Sequence, residues 1–471
     1  MKLCPRAWTT ILAALAAALL VSTDLWPGLR GPETWQWARR AGGLSPSMVA
    51  VCGVLFAGTA LLAVRVRRSW AGASRGKRAV DTGAAVALIA LQMAVLTAAE
   101  PGGLSHIPRR VQDASFTSYH TISRDIEDVG DFLKSYHRKQ GRFVVHGGSQ
   151  PPGRVLFFHA VNRLAGNPER GAACAGALLL LLGALCVVPV LAMAGGGRHP
   201  GASGAAILGM ATLPSYLLFT PETDHLLLLL VLTAAAMKFA ALSSPSGTRP
   251  VALLFGAGLA GGAALFVSFT AIPALVAMGL AAAGAMNWRH MRGEALPSMA
   301  AMIRRMAAAL AGLAIVPAWA AARGLDWIAC YHEAAASAHR IQTLVLGRTF
   351  TEWVGWNLWD FALFAGWPLI ALAMMAARSE CAKFARSSAD AREDGDHSAP
   401  WVLSALVVLL ALDLSGRILG ETGRIWVFFM PLLVLGLSAE ARRWPDRAVL
   451  LLGSGQFVVV LSLKAFLNIP G

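Results

Sequence analysis

Carboxylates, histidines and arginines gather in five stretches of this chain: 24–46, 100–170, 220–224, 323–356 and 415–424. The first carries Asp24 and Glu33. The second carries His146, Gln150 and Arg154, and the third Glu222 and Asp224. His339 and Arg340 stand in the fourth, Glu421 and Arg424 in the fifth. A positioned carboxylate can take a proton from a hydroxyl. Arg and His can hold an anion, and the planar guanidinium suits phosphate better than Lys does. At 146–154 the chain reads His-Gly-Gly-Ser-Gln-Pro-Pro-Gly-Arg. The glycine pair permits positive φ and close backbone approach, and the prolines stiffen the entry into the apolar segment that follows. A turn of this kind at a helix start directs N–H groups outward, where they favour an anion, and Arg154 lies beside it.

Each group also has a plainer reading. Glu421 and Arg424, three apart, could be a helix-end ion pair. Glu222 and Asp224 could cap the helix that begins near His225. Tyr331, His332, Glu333, His339 and Arg340 could be the polar face of an amphipathic helix. The turn could do no more than initiate a helix. Asp360 and Asp413 fall within apolar runs, where a carboxylate is costly unless paired, so both point to a polar network or a site. Asp24, Glu33, His146 or Asp224 could contribute to a site for a divalent cation, although no spacing matches a zinc signature.

The elements that must position these groups are set by composition. The chain has 471 residues, 56% of them hydrophobic and 14% charged. An average soluble chain carries roughly 25% charge. A fold this apolar could not cover its surface with polar groups, which excludes an ordinary soluble domain, disorder and a coiled coil. Apolar runs near the length needed to cross a bilayer occur at 7–23, 47–64, 79–98, 171–194, 203–219, 225–242, 251–267, 270–287, 303–322, 357–377, 400–414, 425–439 and 447–466. The expected fold is therefore all-α and polytopic, one transmembrane unit over 1–471 with about thirteen spans. The longest connector, 99–170, is expected to be a largely extramembrane loop, and 378–399 a charged cytoplasmic one. Residues 1–23 look like a signal sequence but read better as a retained first span, because Asp24 to Pro27 makes a poor cleavage site.

The net charge is +15. With the N-terminus in the cytoplasm, most of that excess falls on cytoplasmic connectors. The connector 65–78 alone holds six basic residues and no acid, the usual signature of membrane orientation. Nucleic-acid binding is not needed to explain the charge. The five chemistry-bearing stretches then share the outer side. The six cysteines (Cys4, Cys52, Cys174, Cys186, Cys330 and Cys381) form no CxxC pair and read as small buried hydrophobes. Within the long connector, Ser123 to Lys139 reads as one amphipathic helix capped by Ser123, with Ile126, Val129, Phe132, Leu133 and Tyr136 on one face. It suits the membrane interface or packing on its own domain equally well.

In order along most of the chain, these stretches resemble the GT-C superfamily of polytopic glycosyltransferases, including protein O-mannosyltransferases, aminoarabinose transferases and bacterial proteins with a His-Pro-Pro-Gly turn. The resemblance rests on the 146–154 turn; on Asp24 followed by Arg30-Gly31-Pro32-Glu33-Thr34-Trp35-Gln36-Trp37; on Thr220-Pro221-Glu222-Thr223-Asp224-His225; on Asn357-Leu358-Trp359-Asp360-Phe361; and on Gly420-Glu421-Thr422-Gly423-Arg424-Ile425-Trp426. It implies a GT-C-like fold in a bacterial inner membrane and sugar transfer from a polyprenyl-phosphate-linked donor at the outer face. It also implies a catalytic carboxylate at Asp24 or Glu33. His146, Gln150, Arg154, Glu222, Asp224, His339, Arg340, Glu421 and Arg424 would bind substrate. The sequence departs from the group at Gln150, which stands where a cation-capable residue is usual and carries no charge, so His146 or Arg154 would have to compensate. Two other functions fit the same pattern: a transporter or flippase of lipid-linked sugars, and a catalytically inactive GT-C-fold assembly partner.

Overall fold

The computed structural model describes residues 12–469 apart from 15, 17–18, 25, 33–35, 41, 144, 196–198, 245–246, 292, 295, 387–398 and 443. Among them the chain is helical throughout, with one isolated bridge pair, Arg39 with Leu467. In chain order the elements used below are α1 (Pro46–Ser69), α2 (Arg75–Ala98), α3 (His106–Gln112), α4 (Tyr119–Arg124), α5 (Val129–Gln140), α6 (Gly153–Ala165), α7 (Pro168–Leu185), α8 (Pro200–Met210), α9 (Pro214–Leu218) and α10 (Asp224–Leu242). The second half contains α11 (Thr248–Val267), α12 (Ala271–Met291), α13 (Met299–Ala322), α14 (Trp327–His339), α15 (Phe350–Ala365), α16 (Trp367–Arg386), α17 (Ala399–Leu414), α18 (Thr422–Ile425), α19 (Met430–Ala441) and α20 (Asp446–Phe466).

Among the described residues eight helices are long and apolar enough to cross a membrane: α1, α2, α7 with its continuation to Met193, and α10, α11, α12, α13 and α20. The other expected spans are shorter or broken. Residues 203–219 divide between α8 and α9, and 12–23, 400–414 and 427–441 form short apolar helices. The run 357–377 breaks at Gly366 (φ 86°), where α15 and α16 meet at 102°. If that pair makes one span, nine among the described residues are long and apolar enough to cross, against the thirteen or so expected.

Local chemistry sets the helix starts. Ser45, Ser74, Asn167 and Ser298 cap α1, α2, α7 and α13 by accepting a hydrogen bond from a backbone N–H in the first turn. Pro46 and Pro168 occupy first helical positions, where a missing N–H costs nothing. The packed centre is formed by α8, α10, α19 and α20. At the periphery α13 packs along α11, with Gly258, Gly262 and Gly312 letting the backbones approach to where a Cβ would collide with the opposing chain. The rest of α13 exposes Ile303, Met306, Leu310 and Trp319. Such a surface is unfavourable in water and unremarkable against lipid tails.

The two ends of the bundle differ. At one end the basic 65–78 connector is structural as well as charged: buried Arg67 bonds Asp446 (2.9 Å) and the carbonyls of Gly201 (2.6 Å) and Trp444 (2.5 Å), and Arg65 pairs with Asp81 (2.8 Å). The opposite end carries the long connectors. There the expected helix over 123–139 is two helices, α4 and α5, separated at 125–128. Ser123 is not its cap. Ser123 is buried and donates to the His120 carbonyl, whereas Asp128 caps α5 by accepting from the Asp131 N–H (2.8 Å). Phe132, Leu133 and Tyr136 do share a face, and it is buried within the protein beside α14. Cys52, Cys186 and Cys330 are buried as expected, but Cys174 is exposed on α7. Cys4 and the side chain of Cys381 lie outside the described residues, as does most of the charged connector 378–399.

Candidate functional site

The turn 146–154 is rigid for a reason different from the expected one. None of its glycines has positive φ. They are small because the packing is tight: a Cβ on Gly147 would meet Ile122 and Ser118, on Gly148 Ser337 and the Gln140 carbonyl, and on Gly153 the backbone of Phe266 and Val267. The Gly147 N–H donates to Ser118 Oγ (3.2 Å). Tyr136 donates from its hydroxyl to the carbonyls of Gly147 (3.2 Å) and Gln150 (2.9 Å), and Gln140 donates to that of Gly148 (3.0 Å). The side-chain oxygen of Gln150 accepts from Ser268 (2.6 Å).

This platform presents His146 and Arg154. Arg154 is buried at the start of α6 and makes a charge-assisted bond to Asp224 (2.7 Å) and another to Thr223 (2.9 Å), with its guanidinium 5.4 Å from the Tyr119 ring. Thr223 occupies the N-cap position of α10 without a side-chain capping bond, so neither Glu222 nor Asp224 is held there as a cap. His146 Nε2 meets Arg424 Nη2 at 3.2 Å, and the same guanidinium bonds Glu421 at 2.7 Å. The expected Glu421–Arg424 pair therefore exists, within a larger assembly.

Five segments of chain supply that assembly. Arg110 of α3 lies over one face of the Phe116 ring, and Arg424 stands 5.4 Å from the ring centre. Arg110 is 3.7 Å from Glu222, an ion pair too long for a hydrogen bond. Arg348 pairs with Glu421 (3.6 Å), donates to the Leu419 carbonyl (2.6 Å) and stacks on Trp353. Arg110, Arg154, Arg348 and Arg424 thus face Glu222, Asp224 and Glu421, four guanidiniums against three carboxylates. Burial, reinforced by Arg424, pushes His146 down to about 4, so at neutral pH it is uncharged and accepts from that guanidinium. Burial pushes Glu222 up to about 7 and Arg110 down to about 10. Burial also works to raise Glu421, but Arg424, His146 and Arg348 outweigh it and hold that carboxyl below its ordinary range.

Glu421 is fixed by its backbone. It is one of two non-glycine residues with positive φ among those described (57°), a conformation that costs energy and persists only when neighbours enforce it. The enforcement comes from α15. Asn357 accepts from the Gly420 N–H (2.8 Å) and donates to Asp413 (3.0 Å). Asp360 accepts from the Gly423 N–H (2.7 Å) and the Trp37 indole (2.9 Å). Asp360 and Asp413 are therefore network-forming carboxylates, and the buried pair positions the 413–424 loop.

The remaining expected residues fall elsewhere. Asp24, the other positive-φ residue (51°), is ion-paired with Arg30 (3.1 Å) and Arg39 (3.4 Å). It borders a shallow cleft lined by Trp26, Leu29, Trp359, Leu363 and Trp367, and none of its bonds reaches the arginine assembly. Glu33 lies outside the described residues. His339 and Arg340 are exposed at the end of α14, and no ion pair among the described residues joins them to the assembly. Among the described residues no three His, Cys, Asp or Glu side chains are grouped to hold a metal ion. No motif or spacing singles out Arg110, Tyr119 or Arg348; they sit in short connector helices and loops, and only their burial marks them.

Comparison with known proteins leaves the chain alone: no family model, no curated protein and no solved structure matches it. Fold and site define a helical membrane protein with a buried arginine-rich assembly among the connectors at one end of its bundle.

Proposed function

We propose that this protein is a GT-C-type glycosyltransferase of a bacterial inner membrane, moving a sugar from a polyprenyl-phosphate-linked donor to an acceptor at the outer face. The observation that carries this reading is the unspent hydrogen-bonding capacity of the arginine assembly. Arg424 Nε and Arg110 Nε and Nη2 are buried and have no hydrogen-bond partner. Buried guanidinium donors of this kind are an expensive feature unless something anionic completes them. They sit where the apolar helices end, within reach of the headgroup of a lipid whose chain stays in the bilayer. A phosphate leaving group needs such fixed cations to take up its developing charge, and a carboxylate stands beside them. Gln150 supplies no charge, and Arg154 and Arg424 stand in its place.

The test is transfer of labelled hexose from a polyprenyl-phosphate donor by the purified protein in proteoliposomes, with membrane extract as acceptor source. Wild type is expected to transfer, and Arg424→Lys to fall by at least tenfold, because an ammonium cannot reproduce the fork that spans Glu421, His146 and a phosphate. Transfer by Arg424→Lys equal to wild type would refute the assigned phosphate site.

A second reading, passage of a lipid-linked sugar across the bilayer, draws on the 102° break between α15 and α16, since transporters use broken helices. The same proteoliposomes separate the two: movement of a fluorescent lipid-linked sugar between leaflets without transfer would favour transport.

A further inference from the structure

We propose that Glu222 takes the proton from the acceptor hydroxyl, and that its carboxylate and the open edge of Arg110 contact the same bound substrates. This rests on the transferase reading above. The carboxylates packed in and around the assembly, Glu222 apart, are engaged. Asp224 is bonded to Arg154, Glu421 to Arg424, Asp360 to Gly423 and Trp37, Glu100 to Lys464 and Arg40, and Asp24 to Arg30. Glu222 is 3% exposed, yet its Oε1 has no hydrogen-bond partner. The nearest cation, Arg110, leaves its own Nε and Nη2 equally unbonded. At 3.7 Å the two attract without closing a hydrogen bond. A buried acceptor and a buried donor edge that face each other and stay open describe a place for a group that is anionic on one side and a hydroxyl donor on the other.

The surroundings keep both groups in place. Phe116 lies against Arg110, so that guanidinium cannot swing onto Glu222 without losing its ring contact. Ahead of Glu222, Thr220 is tied to Thr97 of α2 by a hydroxyl–hydroxyl bond (2.7 Å), and behind it the His225 N–H donates to the Glu222 carbonyl (3.1 Å). The step balances simply. The acceptor oxygen bonds to the anomeric carbon, and the carbon–oxygen bond to the phosphate breaks. Its electron pair leaves with the phosphate, held by Arg110 and Arg424, and the hydroxyl proton passes to the Glu222 carboxylate. A carboxyl raised to about 7 by burial is matched to this work near neutrality.

The groups facing Glu222 are Arg110, Arg424, Arg154 and Asp224. The arginines stay charged through the neutral range, Asp224 is paired with Arg154, and His146, at about 4, stays neutral, so the limb near pH 7 belongs to Glu222. In the transfer assay, wild-type kcat/KM is expected to rise about tenfold from pH 6 to 8. Glu222→Gln should lower kcat at least 100-fold without raising KM for the donor, and the limb should vanish. Glu222→Asp, which keeps a shortened carboxylate, should be slow but retain a limb, and Asp24→Asn and Glu33→Gln should each retain it whatever their rates. Thermal melting in detergent checks that each variant is folded; if Glu222→Gln is not, the limb of Glu222→Asp decides. Wild-type transfer with an unaltered limb in Glu222→Gln, or none in Glu222→Asp, would overturn this assignment and leave the transferase reading standing. Absence of transfer by wild type would overturn both.

Discussion

Arg154 and Asp224 show what a buried ion pair does here. At 7% and 15% side-chain exposure, each charge depends on the other. Breaking a buried pair from one side typically costs about 3–5 kcal/mol, because it leaves an uncompensated charge, whereas replacing both partners with apolar groups is often nearly neutral. Arg154→Met is therefore expected to lower the thermal unfolding temperature in detergent sharply. The double variant Arg154→Met/Asp224→Leu should recover most of the loss while leaving transfer impaired. A double variant as unstable as the single would show that the arginine acts through its bonds to Thr223 and Val267. Glu421 belongs to the same scale: its left-handed backbone is strained, and the strain aims its carboxylate between Arg348 and Arg424.

At the scale of the element, α6 carries Arg154 into the site, and its first residue decides how closely it approaches α11. Gly153 faces the Phe266 carbonyl with no room for a Cβ. Gly153→Ala is expected to push the start of α6 away, costing about 1–3 kcal/mol as overpacking does and weakening donor binding by moving Gln150 and Arg154 together. Melting temperature and the donor KM should both worsen; a normal KM in a destabilised protein would dissociate the turn from the site. The α15–α16 break has a similar logic. Gly366 adopts positive φ, and Gln456 of α20 donates to the Ala365 carbonyl (2.9 Å) that the bend leaves open. The bend places α15 against the 413–424 loop, where Asn357 and Asp360 hold it.

For the whole molecule the decisive quantity is orientation. The 65–78 connector and the arginine assembly lie at opposite ends of the bundle, and by the positive-charge rule the first is expected in the cytoplasm. A membrane-impermeant maleimide should label Arg138→Cys in intact cells and Arg75→Cys only after permeabilisation, in a background with Cys4, Cys174 and Cys381 replaced by Ala. Both side chains are exposed. The reversed pattern would turn the site toward the cytoplasm and remove the outer-face reaction.

Composition and the period of the apolar runs were enough to read a helical membrane protein and to locate most of its long apolar helices, because lipid leaves few ways to satisfy a backbone other than by helices. Apolar runs alone gave about thirteen candidate crossings where eight helices among the described residues are long and apolar enough, since nothing local distinguishes a span from a short buried helix such as α8 or α9, or from the bent pair at Gly366. Local patterning also picked out the polar connectors from which the arginine assembly is built, and the pairing of Glu421 with Arg424 lay within three residues. Only the tertiary structure decided that Asp24 is engaged with Arg30 and Arg39, that Glu222 faces Arg110, and that Arg348 and Tyr119 belong to the assembly. Those facts depend on burial and on contacts between residues as distant as His146 and Arg424, and a charge becomes informative only when the fold removes the water around it.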